Sequence, residues 1–207
     1  SQVAWWYNKD LINQAGVDVS KIVMWDDLLE AVKQIKSAGI TPICLGGKDK
    51  WPVHFIWTHL HIRNGGQDLF LESMNNGGWG RPEYIKSGEQ MLELVNLDPF
   101  QDGYLAATWP DQAGMFGDGK CAMALMGNWM YGSQAANSAS GEGLGDDNMG
   151  MFNMPATKGG LGDVGDTLGG INGWLFSSSA PDEAVDLIIH YVSKATQSQD
   201  AGNGAYI

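Results

Sequence analysis

Aromatic rings, rather than a catalytic constellation, are the chemistry this sequence offers in excess. Nine tryptophans occur in 207 residues, at positions 5, 6, 25, 51, 57, 79, 109, 129 and 174. The stretch Phe116 to Trp129, FGDGKCAMALMGNW, reads as a helix end, a Gly117-Asp118-Gly119 turn, a strand from Cys121 to Met126 and a Gly-Asn-Trp corner. A strand apolar on both faces belongs to an α/β sheet covered by helices on each side. Such sheets bind ligands outside the carboxyl ends of their strands. Trp129 is delivered to that edge, and Trp51 and Trp109 likewise sit where a loop meets a helix. Trp25 and Trp57, inside helices, are expected to be core residues. A sugar ring presents an apolar face of C–H groups with hydroxyls round its rim, so an indole beside amides suits holding it rather than breaking a bond.

Rival chemistries find less support. His54, His59 and His61 invite a metal, but helical spacing turns His59 away from the other two and no carboxylate joins them at i,i+4. Gly160-Leu161-Gly162-Asp163-Val164-Gly165 matches GxGxxG, yet it runs into Asp166 and a strand rather than a helix N-terminus, so a loop is expected. No G-x-S-x-G elbow occurs. With 24 acidic residues, counting alone does not exclude two acids flanking one glycosidic bond. Neither catalysis nor a cofactor is expected.

The formal net charge of −12, with 12 basic residues, argues against nucleic acid and against polyanionic partners. No run of 18 apolar residues is present to span a bilayer. Cys44 and Cys121 fit no zinc pattern. Two readings stay open for them: buried thiols acting as small apolar residues, or a bond across neighbouring strands, which requires both side chains on one face. Free thiols are the expectation.

The elements that would carry these residues follow from periodicity and punctuation. Strands are expected at Val3 to Tyr7, Thr41 to Leu45, Cys121 to Met126, Met149 to Pro155 and Gly170 to Ser178. The main helices run from Asp26 or Asp27 to Ala38 (Leu28, Leu29, Val32 and Ile35 inward), Trp51 to Arg63, and Pro82 to Val95 (Tyr84, Ile85, Met91, Leu92 and Val95 inward). Others cover Trp109 to Phe116, Asn128 to Ala139 and Pro181 to Thr196 (Ala184, Leu187, Ile188 and Tyr191 inward). Asn64-Gly65-Gly66 stops the second of these, a shorter helix over Gln67 to Ser73 follows, and Ser140 to Asn148 reads as a mobile acidic loop.

The Phe116–Trp129 stretch resembles the F-x-x-G-x-x-A-M-x-x-x-G-x-W segment of the extracellular solute-binding proteins of ABC-type sugar importers, the maltodextrin-binding group. Trp6-Tyr7-Asn8-Lys9-Asp10, Trp25-Asp26-Asp27-Leu28-Leu29 with Gly39-Ile40-Thr41-Pro42-Ile43, and Gly169-Gly170 with Asn172-Gly173-Trp174 resemble further family segments in the same order. The resemblance implies a periplasmic-binding-protein-like type II α/β fold. On it, residues 1–147 form the carboxyl-side lobe, 148–156 a hinge crossing, and 157–207 a strand and helix of the amino-side lobe. Members are usually much longer, so a fragment is expected, with self-association through apolar surface left uncovered.

The family likeness also assigns residues. It implies Trp129 as the main stacking aromatic, Trp109 near the sugar, and the loop from Asp49 through Trp51 to His54 as a supplier of an acid and aromatics. Gly170, Asn172 and Trp174 would approach from the other lobe, and Trp6 from the first crossing. The implied function is non-catalytic delivery of a neutral sugar or short oligosaccharide to ABC permease subunits, outside the cell, membrane-tethered or periplasmic. A carbohydrate-active enzyme or its sugar-binding module, and a peptide or amino-acid receptor of the same fold, are the alternatives. Lys50 is the one lysine on a candidate ligand loop beside which a charged ligand would fit.

Overall fold

The computed structural model describes residues 2–170 and 173–202. A four-stranded mixed sheet in the order β2-β3-β1-β4 forms its centre. Strand β1 (Val3–Asn8) lies antiparallel to both β3 (Cys121–Gly127) and β4 (Met149–Phe152), while β2 (Thr41–Ile43) runs parallel to β3. All seven residues of β3 are buried, as a strand without polar alternation requires when both faces are covered. Helices α1 (Lys9–Gln14), α3 (Trp51–Asn76) and α5 (Trp109–Gly117) contact β3, and α2 (Trp25–Ser37) packs on β2. Trp5, Trp25, Leu28, Ile35, Ile43, Leu60 and Phe116 fill the core between them.

Local chemistry sets the helix ends. Asp27 caps α2 from its third position, accepting the Met24 N–H at 2.8 Å, so the helix starts at Trp25, ahead of the acids expected to open it. Leu28, Val32 and Ile35 face inward as expected, and Leu29 is half-buried. Helix α3 bends at Gly66, whose φ of 78° and ψ of 167° are not helical, so the stop read at Gly65-Gly66 is a kink joining two helical segments. Helices α4 (Pro82–Asn96) and α6 (Met130–Asn137) pack on α3 and α5 respectively.

The face read for α4 is corrected. Ile85 is 56 % exposed and Leu92 is also exposed, whereas Ser87 and Gln90 are buried with Tyr84 and Leu94. These polar side chains have partners: Asn64 donates to Ser87 Oγ at 2.9 Å and to Gln90 Oε1 at 2.7 Å, and accepts from Thr157 at 2.8 Å. A buried polar group with a hydrogen bond costs little, so apolar periodicity alone points the helix the wrong way.

The cysteines are also corrected: Cys44 and Cys121 form a disulfide, their Cα atoms 5.5 Å apart. The register sets Thr41 opposite Cys121 and Ile43 opposite Met123. Cys44 lies just past the last residue of β2, where the common-face rule for neighbouring strands no longer governs the side chain.

After β4 the chain stays on this body as far as Gly169. Trp25 N–H donates to Ala156 O at 2.7 Å, Ala156 N–H to Val23 O at 3.0 Å, and Gln2 bridges Gly169. The 160–165 glycine motif is a loop, as read, wrapped round Arg63. The segment 140–148 is tied down by Leu144 N–H to Gln134 Oε1 at 2.7 Å and contains a turn of 3₁₀ helix.

The strand expected over Gly170 to Ser178 is not formed at 173–178; Ile171 and Asn172 lie outside the described residues. The single helix expected over Pro181 to Thr196 is two, α7 (Glu183–Tyr191) and α8 (Lys194–Gly202), with Ser193 Oγ accepting the Thr196 N–H at the second start. Leu187, expected inward, is 65 % exposed and Tyr191 is exposed too, because no sheet among the described residues lies against α7. The ending at Ala205-Tyr206-Ile207, read as a further crossing, lies outside the described residues.

Candidate carbohydrate site

Three helices begin at the carboxyl edge of β2 and β3, and each brings an indole. Trp51 opens α3, Trp109 opens α5, and Trp129 precedes the first residue of α6. The Trp51 ring centroid lies 5.6 Å from Trp109, 6.3 Å from Trp129 and 5.4 Å from Phe55. All three indoles are half-buried, with Phe55 buried beneath. The rings stand 55–56° apart across the two Trp51 pairs, so they form facets rather than one flat shelf.

Backbone approach makes this convergence possible. Gly46 N–H donates to Gln112 Oε1 at 2.9 Å, Gly47 N–H to Tyr104 O at 2.8 Å and Lys48 N–H to Ala107 O at 3.0 Å. A Cβ on Gly46 would lie 2.7 Å from Thr108 O, and one on Gly47 2.7 Å from Tyr104 O, so side chains there would push the two loops apart. The α5 start is fixed by a reciprocal capping box: Asp111 accepts the Thr108 N–H at 2.8 Å and Thr108 Oγ1 accepts the Asp111 N–H. The Thr108 N–H and the Thr108 hydroxyl, which donates to Asp111 Oδ2 at 2.7 Å, hold the Asp111 carboxyl below its ordinary pKa, the backbone bond contributing most. Trp129 folds back over Gly127, whose missing side chain leaves room for the ring.

Lys50 links the loop to α3 with φ 66° and ψ −42°, a region L-residues rarely occupy and one that clusters at functional sites. Asp49 is exposed, and its Oδ2 accepts the Trp109 N–H at 2.6 Å. His54 is exposed, one turn into α3, with Nδ1 3.3 Å from Trp51 O. The buried Gln112 Nε2 and Asn128 Oδ1 have no hydrogen-bond partner; both residues border the cluster in sequence.

The structure thus brings together Trp51, Trp109, Trp129 and Asp49, while His54 stands beside them with its ring 5.5 Å from Phe55. Trp6, read as a ligand contact, is instead 5 % exposed, opposite Ala124 in mid-sheet, with its Nε1 donating to Met126 O at 3.1 Å. Trp174 is exposed and meets Tyr191 edge-on at 5.5 Å. Gly170 is exposed, and Asn172 lies outside the described residues. Trp57, read as core, is 47 % exposed. Phe55 was missed, although its i,i+4 spacing from Trp51 puts both rings on one side of α3.

His59 and His61 are structural. His59 Nδ1 is 2.8 Å from Phe55 O, and Nε2 accepts the Leu168 N–H at 3.2 Å. Burial, aided by the Arg63 charge, pulls His59 down to about 4. His61 is lowered by burial as well, its Nδ1 2.8 Å from Trp57 O. No group of three potential metal ligands occurs among the described residues.

Half-buried indoles thus gather at three helix starts along one sheet edge. The sequence profile of the bacterial extracellular solute-binding proteins matches residues 2–198, and the chain belongs to that family. It is similar to an uncharacterised ABC transporter extracellular-binding protein of Pyrococcus horikoshii, 30 % identical over 128 residues, covering 61 % of this chain and 29 % of that protein. A Mesorhizobium japonicum relative described as a probable sugar-binding periplasmic protein is 24 % identical over 169 residues, covering 72 % of this chain and 39 % of its own. Among solved structures, a chitin oligosaccharide binding protein superposes with a TM-score of 0.82 at 25 % identity, over 96 % of this chain and 50 % of that one. The fold is periplasmic-binding-protein-like type II. The chain spans less than half the length of the curated relatives it matches.

Proposed function

We propose that this chain supplies one wall of the carbohydrate site in the receptor of an ABC-type importer. Its Trp51, Trp109 and Trp129 stack on uncharged rings of a sugar or short oligosaccharide. The observation that carries the reading is the meeting of three half-buried indoles, with Trp51 within 6.3 Å of the other two, at a strand edge. The family membership and the sugar-binding relatives support it. Each indole covering roughly 100 Å² of apolar sugar surface contributes about 2.5 kcal/mol. Two such contacts with several hydrogen bonds reach micromolar affinity, about −8 kcal/mol.

In the whole protein the mechanism is closure of two lobes on the ligand, which favours the closed state because both lobes touch it only there. This lobe holds the chain as far as Gly169, and the chain beyond it leads to the other lobe, from which Gly170 and Trp174 would reach the sugar. The closed receptor then meets membrane permease subunits from the extracellular or periplasmic side, with no bond of the ligand altered. Calorimetry of the full-length protein against a panel of neutral oligosaccharides tests this. Micromolar binding without turnover, weakened at least tenfold by Trp129→Ala, is expected; hydrolysis of a bound member would overturn the receptor reading in favour of an enzyme.

A further inference from the structure

Val53 and Trp57 stand two residues on from Trp51 and Phe55, so they face the opposite side of α3. There a groove of about 460 Å³ lies between the start of α3 and helix α4, its walls including Lys50, Val53, His54, Trp57, Gly88 and Met91. We infer that this groove is a second saccharide subsite, built for a sugar unit carrying one carboxylate, a uronate, in an oligosaccharide that crosses the head of α3 from the indole cluster. The inference rests on the carbohydrate reading above and amends it at one unit: the stacked rings are neutral and the flanking one is acidic.

Three features of the groove carry this. Trp57 is held as a platform, because His61 meets it edge-on at 4.4 Å and itself stacks on Tyr84 at 4.5 Å and 18°. Its half-exposed indole offers the same contact to a pyranose face as the cluster does. Gly88 sits inside α4, where glycine is disfavoured, and a Cβ built there meets nothing within 4 Å; a larger residue would stand in the groove. The charge is selective as well. In a chain with 24 acidic and 12 basic residues, the groove presents Lys50 and His54 and no acidic side chain. Lys50 forms none of the ion pairs seen among the described residues. An ammonium beside an indole recognises a ring and a single anionic group together. Continuity comes from the backbone, since Lys50 and Trp51 are consecutive and the bend at Lys50 points them to the two sides of one helix start.

The test is calorimetry of the full-length protein with matched pairs. Xylotriose, cellotriose, maltotriose and chitotriose are each compared with a counterpart bearing one uronate. The expected result is that in at least one pair the acidic member binds tenfold or more tightly than the neutral one. Gly88→Phe and Lys50→Gln should each erase that difference, with circular dichroism confirming the fold and Gly88→Ala retaining it. If the neutral member of every pair that binds is equal or better, the groove is no uronate subsite and the receptor reading stands. If no member of any pair binds, the carbohydrate reading fails and this inference with it.

Discussion

The carboxylate of Asp49 accepts the backbone N–H of Trp109 at 2.6 Å, so one loop residue sets the position of an indole sixty residues away. The acid expected to meet the ligand serves at least partly as a cap on α5. Removing a capping acceptor costs about 1 kcal/mol, within a range of roughly 0.5–2. Asp49→Ala should therefore lower stability by about that amount in urea denaturation and weaken sugar binding through a displaced Trp109. Asp49→Ser, which keeps an acceptor, should recover most of the stability. If Asp49→Ala abolishes binding at unchanged stability, the carboxylate contacts the ligand directly instead.

Arg63 holds the chain after β4 in place. Its guanidinium donates to Met154 O from Nε and Nη2, to Asp163 O and Asp166 O from Nη1, and to Val164 O from Nη2, at 2.7–3.1 Å. Burial lowers its pKa and the nearby Asp166 and Asp163 oppose that. Arg63→Met leaves four carbonyls without this donor, and stability should fall by about 3 kcal/mol or more. Arg63→Lys should rescue little, because a single ammonium cannot reproduce the planar fork. Proteolysis within 160–166, faster in both variants, checks that the loop is what comes loose.

Much of this site was legible because it depends on local signals. A strand apolar on both faces, a Gly-Asn-Trp corner and a Trp-Pro helix start placed Trp51, Trp109 and Trp129 at one edge without knowledge of contacts. What could not be read depended on partners distant in sequence. Ile85 and Leu92 look like core residues until Asn64, itself held by the Thr157 hydroxyl, is seen to pair with the polar face of α4. Trp57 looks buried from its helical setting, yet the gap left by Gly88 helps to expose it. The Cys44–Cys121 bond depends on where β2 ends, a boundary periodicity resolves poorly. Trp6 was assigned by family likeness, and the Met126 carbonyl holds it in the sheet instead.

That disulfide closes a separation of 77 residues and ties the end of β2 to the start of β3, beneath the loop that presents Trp51. Cross-links of this span stabilise by about 2–4 kcal/mol, chiefly by restricting the unfolded chain. Cys121→Ser, or reduction with dithiothreitol, should lower the urea midpoint correspondingly. Both treatments should give the same shift, and the reductant should add nothing to the variant. A reductant effect that persists in Cys121→Ser would assign the loss to another cause.

His59 gives the stability a direction with pH. Its Nε2 accepts the Leu168 N–H at 3.2 Å, and Leu168 O accepts from Val3 N–H at 3.0 Å, joining α3 to the strip beside β1. Protonating Nε2 would set N–H against N–H, which agrees with a native value of about 4 against 6.5 in the unfolded chain. Between those values the unfolded chain binds more protons, so stability rises with pH across the window. The contribution is complete above pH 6.5 and is lost progressively as the pH falls toward 4. At pH 5 the loss is about 2 kcal/mol. His59→Gln keeps an acceptor for Leu168 without a titrating group, so its unfolding free energy between pH 4.5 and 7 should vary less than the parent's by that amount. An unchanged slope would place the pH dependence elsewhere in the fold.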